Sequence, residues 1–434
     1  GILHAFNASN GEELWGYIPP NVLGNFEKIP SNKANSTNAI YGIDGSPVVK
    51  DIYFDDTPND GTNNPRWRTI LLSGLGAGGK GLFALDVTDP NSPTHLFAIN
   101  NDETNKAVQH WNSDGQKNEF GYASGSIDPK YDYRKLGETW STPRIIRIKV
   151  DGKDKWAAVF GGGYNGAVNP DVGSAVFALD LEDEGRLLKA IEIEDKAKYD
   201  YAWSSTLICT GTGQYFYGDR SNCRKFEVAS IFGANQIQYN PSNGESMRFE
   251  TVPPIGNTLT FSGTGDVKTV TEVNFHSDVP RNTIKIKFVR EKNDIVNSLP
   301  ANLSVITADG TNKANYNGAL VYATDLEGKV TKINLTENFI MDTDSNSSSY
   351  NSIIRPVSSD KPIQQTTLFT AESTSENGRY IYTSPEVTIN NDNNLWLYFG
   401  TGNTQKLQEQ SNKVQNRVCS TKGKTYCEGF NIIG

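Results

Sequence analysis

The feature that most constrains the fold is a short unit that returns along the chain: a proline-led strand, a second strand ending in glycines, then an aliphatic strand ending in aspartate. Gly45-Ser46-Pro47-Val48 opens one unit, Trp67 to Ser73 runs into Gly74-Leu75-Gly76-Ala77-Gly78-Gly79-Lys80-Gly81, and Leu82 to Val87 follows. Ser141-Thr142-Pro143-Arg144 opens another, with Trp156 to Phe160 entering Gly161-Gly162-Gly163 and then Ala175 to Leu181. A third runs from Thr383-Ser384-Pro385-Glu386 through Leu395–Phe399 into Gly400-Thr401-Gly402. Leu3-His4-Ala5-Phe6-Asn7 and Leu320-Val321-Tyr322-Ala323-Thr324-Asp325 repeat the aliphatic strand alone. Proline cannot donate to a ladder but can open one. Strand, turn and strand at this spacing predict an all-β protein, a modified β-propeller of quinoprotein-like blades; at about 40 residues per blade plus insertions, roughly seven are expected.

The glycine cluster at 74–81 imitates two nucleotide-binding motifs, G-x-G-x-x-G and G-x-x-x-x-G-K, and fits neither. Both act by opening a helix whose first amides hold phosphate. Here a short apolar strand and the turn Thr88-Asp89-Pro90-Asn91 follow, and Gly81 stands where a P-loop places its Ser or Thr. A strand-to-strand connection is the expectation.

Composition supports the loop-rich reading: 40 glycines and 19 prolines against two methionines in 434 residues. The net charge is −9, from 41 Lys and Arg against 50 acidic residues, with no basic run. Nucleic acid is therefore not an expected partner. No apolar stretch approaches a membrane span. The chain opens mid-strand without Met, which reads as part of something longer.

The blade units stop between about Tyr201 and Asn297. Thr283-Ile284-Lys285-Ile286-Lys287-Phe288 alternates apolar and charged residues there, the pattern of a half-buried antiparallel strand. This divides the chain into propeller over 1–200, a β-rich insertion over 201–297, and propeller again over 298–434. Insertions often carry binding while a scaffold stays rigid; a decorative excursion is the alternative. Tyr131, Tyr133, Tyr199, Tyr201, Trp203, Tyr215 and Tyr217 concentrate aromatic area near it. Tyrosines add contact area at low entropic cost, so Tyr199, Tyr201, Trp203, Tyr215 and Tyr217 are candidate binding residues. They are equally suited to covering a propeller's rim.

Four cysteines form two local pairs, Cys209 with Cys223 and Cys419 with Cys427. Neither has C-x-x-C spacing, and the histidines (His4, His95, His110, His276) are scattered, which argues against zinc. Two disulfides pinning surface loops are the reading, implying an oxidising compartment; four buried thiols are the alternative.

Ile2-Leu3-His4-Ala5-Phe6 with Gly11-Glu12-Glu13-Leu14-Trp15, Gly45 to Val49, and Trp67-Arg68-Thr69 leading to the glycine cluster resemble the C-terminal domain of the PilC/PilY family. So do Glu138 to Pro143, Val159 to Tyr164, Ala323 to Gly328 and Tyr398 to Gly402, in the same order along nearly the whole chain outside the insertion. These are tip-associated adhesins of type IV pili. The resemblance implies a modified propeller, exposure at the pilus tip outside the cell, and roles in pilus biogenesis, opposition to retraction, adhesion and twitching motility. It also implies as partners the minor pilins, a host-cell surface receptor, and the N-terminal region of the same full-length protein.

Family members carry a calcium loop just before the strand matching Leu320 to Asp325. At that place this chain has Asp309, Asn312, Asn315 and Asn317 as oxygen donors, with Ala319 where the last acidic ligand belongs. One carboxylate makes a weak calcium site. Asp342, Asp344 and Asn346 form a second loop with alternating oxygens but no turn glycine. Calcium is thus the candidate cofactor at either loop, beside the reading of both as polar turns.

The competing reading is a calcium- and quinone-dependent periplasmic dehydrogenase, which uses similar blades. Against it, the chain has no adjacent-cysteine pair to cap such a cofactor and no motif marking a general base or a nucleophile elbow. Asp44, Asp86 and Asp180 stand where aspartates close strands and turns. A non-catalytic protein is expected, either a receptor-binding adhesin or a structural scaffold at the tip. Reduction of the native chain should cost on the order of 2–3 kcal/mol per bridge. Denaturant titration with and without reductant, alongside non-reducing peptide mapping for Cys209–Cys223 and Cys419–Cys427, checks this.

Overall fold

The structure, a computed structural model, describes residues 1–29, 39–54, 66–123, 128–165, 172–193, 298–307, 318–345, 347, 350, 352–359, 361–371, 373, 378–389 and 395–402, together with the backbone of the strands within 199–289 and 416–430. Two compact units divide the chain: Gly1–Glu194 with Asp294–Gly434, and Asp195–Asn293.

The first unit begins with the hairpin β1 (Leu3–Phe6) and β2 (Glu13–Tyr17). A six-stranded antiparallel sheet follows: β3 (Val48–Phe54), β4 (Arg66–Gly74), β5 (Gly81–Asp86), β6 (Thr94–Asp102), β7 (Ala107–Trp111) and β8 (Lys117–Gly121), paired in chain order. The next is β9 (Arg144–Val150), β10 (Lys153–Gly161), β11 (Ala175–Asp180) and β12 (Arg186–Glu192). Pro47 and Pro143 stand directly before β3 and β9, as the repeated unit predicts. The glycine cluster connects β4 to β5 through one 3-10 turn, Gly76–Gly78, with no helix to receive phosphate.

The second unit is a seven-stranded antiparallel sheet. Its strands are β13 (Tyr199–Ser204), β14 (Ile208–Cys209), β15 (Phe226–Ala229), β16 (Gln236–Asn240), β17 (Thr258–Phe261), β18 (Val267–Phe275) and β19 (Ile284–Val289), in the order 13-19-18-17-16-15-14.

The first unit resumes with β20 (Ser304–Thr307), β21 (Ala319–Thr324) and β22 (Lys329–Asn334), then a hairpin, β23 (Asn338–Met341) with β24 (Ile353–Pro356), and then β25 (Gln365–Thr370), which pairs with β22. Its last sheet is β26 (Glu386–Ile389), β27 (Leu395–Gly400), β28 (Asn416–Lys422) and β29 (Lys424–Phe430).

Successive sheets of this unit pack face to face, so most strands are apolar on both sides. Ile52, Ile70, Leu72 and Phe97 meet Ile145, Ala158, Phe160 and Phe177 between the second and third sheets. Val159, Val176 and Leu188 meet Val321, Ile333 and Phe339 beyond them. Tyr322 and Val330 then meet Leu397 and Phe399. Burial on both faces is why these segments read as near-continuous hydrophobic runs.

The strand-closing aspartates repeat down to their ion pairs. Asp86 lies opposite Ile70, and its Oδ1 accepts the Thr88 N–H at 2.9 Å, while Arg68 reaches its Oδ2 at 3.4 Å. Asp180 lies opposite Ala157, its Oδ1 accepts the Glu182 N–H at 2.9 Å, and Lys155 reaches its Oδ2 at 3.1 Å. In both cases the cation stands two residues before the aspartate's cross-strand partner. Asp325 does the same for the Lys329 N–H at 2.9 Å. Burial pushes the Asp180 carboxyl up, with the Lys155 ammonium opposing.

Between β22 and β25 the chain leaves its own sheet. The hairpin β23–β24 adds to the free edge of β9, with Asn338 parallel to Lys149 and Phe339 to Val150. The two-residue turn Asp151-Gly152, with φ of 48° and 75°, presents its polar groups to the hairpin. Asp151 N–H donates to Phe339 O at 2.8 Å, and Gly152 N–H to Asn338 Oδ1 at 3.1 Å. Met341 N–H donates to Asp151 Oδ1 at 3.2 Å. Phe339 is fully buried. Phe339→Ala is expected to cost about 3–5 kcal/mol, read as a lower urea midpoint.

Candidate functional site

The glycine turns after β4 and β10 are each gripped by the segment Gly137 to Pro143. Thr139 Oγ1 accepts the Leu75 N–H at 2.7 Å and donates to Gly81 O at 2.5 Å, and Thr139 O accepts the Gly76 N–H at 3.2 Å. Ser141 Oγ accepts the Gly161 N–H at 3.0 Å, while Gly137 N–H donates to Gly162 O at 2.7 Å. Glu138 and Tyr164 exchange backbone hydrogen bonds in both directions. Backbone approaches backbone so closely that a Cβ on Gly45, Gly78 or Gly163 would overlap the carbonyl of Gly74, Gly42 or Glu138 respectively. Lys80, the lysine of the phosphate-loop lookalike, pairs instead with Glu103 and reaches Asn165 beside the next glycine turn.

Aromatic groups collect beside these turns. Trp140 is 42% exposed and donates its indole N–H to the Glu138 carboxylate at 3.1 Å. Tyr380 and Tyr382 meet edge to face with ring centroids 6.0 Å apart, and Gly402 N–H donates to Tyr380 O at 2.8 Å. Burial, helped by the Tyr164 and Tyr380 hydroxyls, pushes the Tyr382 hydroxyl up to about 12. Neutral phenols, an indole and a carboxylate suit hydrogen bonding and stacking. Sequence reasoning named Trp140 and Tyr164 only as motif residues and missed Tyr380 and Tyr382; the tyrosine spacing at 380–382 was the available signal.

The residues singled out in the sequence fall elsewhere. Tyr133 is no rim residue: it is fully buried, stacked on Phe177 at 5.6 Å, and donates its hydroxyl to Gly185 O at 2.7 Å. Tyr131 stacks on Phe120 at 5.1 Å. Positions Tyr199, Tyr201 and Trp203 lie on β13, in register with Val289, Lys287 and Lys285. Tyr215 and Tyr217 lie outside the described residues, as do Cys223, Asp309, Asn312, Asn315, Asn317 and Asn346. Cys209 ends β14, and Cys419 stands directly opposite Cys427 in the hairpin β28–β29. Cross-strand neighbours lie within the Cα separation that a disulfide spans. Asp342 is buried, and its Oδ1 accepts the Asp344 N–H at 3.0 Å, a local turn that engages one oxygen of the second calcium loop. Among the described residues no three His, Cys, Asp or Glu side chains gather as a metal site.

One junction carries titratable groups. The turn Asp183-Glu184-Gly185, with φ of 45° at Glu184 and 74° at Gly185, inserts against the preceding sheet. His110 donates Nε2–H to Glu184 O at 2.8 Å, and the Glu184 carboxylate accepts Ser113 N–H and Oγ–H at 2.9 and 2.6 Å. His95 is hydrogen-bonded through Nδ1 to the Tyr17 hydroxyl at 2.7 Å. Burial holds both imidazoles below their ordinary range; the His110 charge adds to this at His95, and Glu184 partly offsets it at each. The unfolded chain therefore binds protons more readily than the folded one. Stability is complete above the ordinary histidine pKa of about 6.5 and is lost as pH falls below it. The urea midpoint should drop between pH 7 and pH 5.5, and His110→Gln should flatten that drop.

The family described as the PilY1 beta-propeller domain matches residues 1–228. The type IV pilus biogenesis factor PilY1 of Pseudomonas aeruginosa strain UCBPP-PA14 is 32% identical over 196 residues, 45% of this chain and 13% of that protein. That of strain PAO1 is 29% identical over 234 residues, 52% and 16% of the two. A PilY1 homolog of Xylella fastidiosa is 28% identical over 195 residues, 45% and 10%. The chain thus spans less than a fifth of the length of these relatives (10%, 13% and 16%). Among solved structures, the Pseudomonas aeruginosa PilY1 C-terminal domain aligns with 99% of this chain and 90% of its own at 17% identity and a TM-score of 0.29. A europium-containing methanol dehydrogenase aligns with 93% and 70% at 12% identity and 0.22. With 228 of 434 residues matched, the chain belongs to the PilY1 family, and those residues match that family's beta-propeller domain.

Proposed function

We propose that this domain acts without catalysis at the pilus tip outside the cell, where it promotes type IV pilus biogenesis, opposes retraction, and supports adhesion and twitching motility. The family match over residues 1–228 carries this reading. Its partners are minor pilins, the N-terminal region of the full-length protein, and a host-cell surface receptor. The described aspartates and histidines support a non-catalytic role through their engagements. Asp86, Asp180 and Asp325 close turns, and His4, His95 and His110 are hydrogen-bonded within the fold. The β-rich sheet of β13 to β19 is the proposed receptor-facing element, with Tyr199, Tyr201 and Trp203 on one strand of it.

Deleting the region that encodes this chain in its source bacterium tests the reading by a count of surface pili, repeated with the retraction motor also removed. Pili that vanish in the first strain and return in the second are expected. Unchanged pili in both would exclude the biogenesis role and leave a dispensable adhesin.

A further inference from the structure

We propose that Lys155 and Asp180 form a covalent cross-link, an isopeptide bond between Lys155 Nζ and Asp180 Cγ that joins β10 to β11, with Glu182 carrying the proton. The inference rests on the geometry of this one sheet and is independent of the pilus role.

A strand-closing aspartate meets a cation in three sheets, and the three differ in chemistry. At Asp86 the cation is Arg68, whose guanidinium stays charged and is no nucleophile. At Asp325 it is Lys329, whose ammonium lies 3.7 Å from Asp325 Oδ2 but 2.9 Å from Glu327 Oε2, and so sits on the other carboxylate. At Asp180 the order is reversed: Lys155 Nζ is 3.1 Å from Asp180 Oδ2 and 3.7 Å from Glu182 Oε2. An amine against a carboxyl group, with a second carboxylate beside them to move a proton, is the set of groups that amide formation needs.

The fold holds these groups for it. Asp180 lies opposite Ala157, two residues from Lys155 along β10, which puts both side chains on one face of the sheet. Asp180 Oδ1 accepts the Glu182 N–H at 2.9 Å, leaving Oδ2 turned to the lysine. The Asp180 side chain is fully buried, that of Glu182 is 10% exposed and that of Lys155 31%. Burial pushes the Asp180 carboxyl up. Burial also works to lower the Lys155 ammonium, and the Asp180 and Glu182 charges more than restore it, so the resting pair is ionic. Transfer of one proton from Lys155 to Asp180 gives an amine and a carboxylic acid, a neutral pair with a far smaller desolvation cost than two buried charges.

From that neutral pair Nζ adds to Cγ. Glu182 accepts the proton that the nitrogen releases and returns it to the departing hydroxyl. The Cγ–Oδ2 bond breaks and one water leaves, with no oxidant and no further reactant. The product closes a ring through Gly161-Gly162-Gly163 and fixes two adjacent strands to each other.

Mass spectrometry of the intact, reduced 434-residue chain tests this. The expected mass is that of the sequence less one water. Trypsin does not cut after an acylated lysine, and no Lys or Arg stands between 156 and 185, so 154–186 should be recovered as one peptide, also lighter by one water. Fragmentation should place the link at Lys155 and Asp180. Lys155→Arg keeps the ion pair but cannot condense; full sequence mass and a lower urea midpoint than the parent chain are expected. Glu182→Gln should slow the appearance of the link after synthesis by about a hundredfold or more. A parent chain of full sequence mass that trypsin cuts after Lys155 overturns the proposal. So does a water deficit that maps to Lys329 or to a succinimide, or one that persists in Lys155→Arg. An undiminished rate in Glu182→Gln overturns the role given to Glu182.

Discussion

The structure depends on sheets that are buried on both faces. Where successive sheets of the main unit pack face to face, the surfaces between them have no wet side on which to place charge. Polar groups are consequently driven to strand ends, where they are paired. Asp86, Asp180 and Asp325 each close a strand by capping the following turn and facing a cation. An unpaired buried carboxylate would be far costlier than these local pairs.

Close stacking also dictates the glycines. The segment that enters each new sheet crosses the turn of the preceding one at backbone contact, and Thr139 and Ser141 hydrogen-bond the amides at the crossing. This is why a cluster that resembles a phosphate cradle is filled by the protein's own chain. Its amides donate to Thr139, and its lysine is held by Glu103.

Two features join sheets in ways that packing alone does not. The β23–β24 hairpin leaves its sheet to complete the edge of β9, so two blades share a strand ladder. The turn at Glu184 inserts beneath His110, Ser113 and Tyr133, and ties the second and third sheets through side chains. Both tie one sheet to its neighbour through direct hydrogen bonds. The second joint includes His110, whose burial holds its imidazole below the ordinary range, so its strength depends on pH.

The sequence by itself determined the elements whose signal is local. Proline before β3, β9 and β26, glycine after β4, β10 and β27, and the aliphatic strands ending in aspartate are all visible because turn chemistry and strand burial act on neighbouring residues. The family could be recognised from the order of those motifs for the same reason. What only the tertiary structure decided involves residues far apart in the chain. Tyr133 looked like a surface aromatic among others, and its burial against Phe177 becomes visible only when two sheets stack. Asn338 and Phe339 carry no mark that sends them to β9 rather than to a neighbour, because a parallel edge pairing is set by which ladder remains open. Val49, Tyr53 and Trp67 have the alternation of any half-buried strand. That they are bare while Leu71 is covered follows from how far the β1–β2 hairpin reaches across the sheet, a distance that no local pattern encodes.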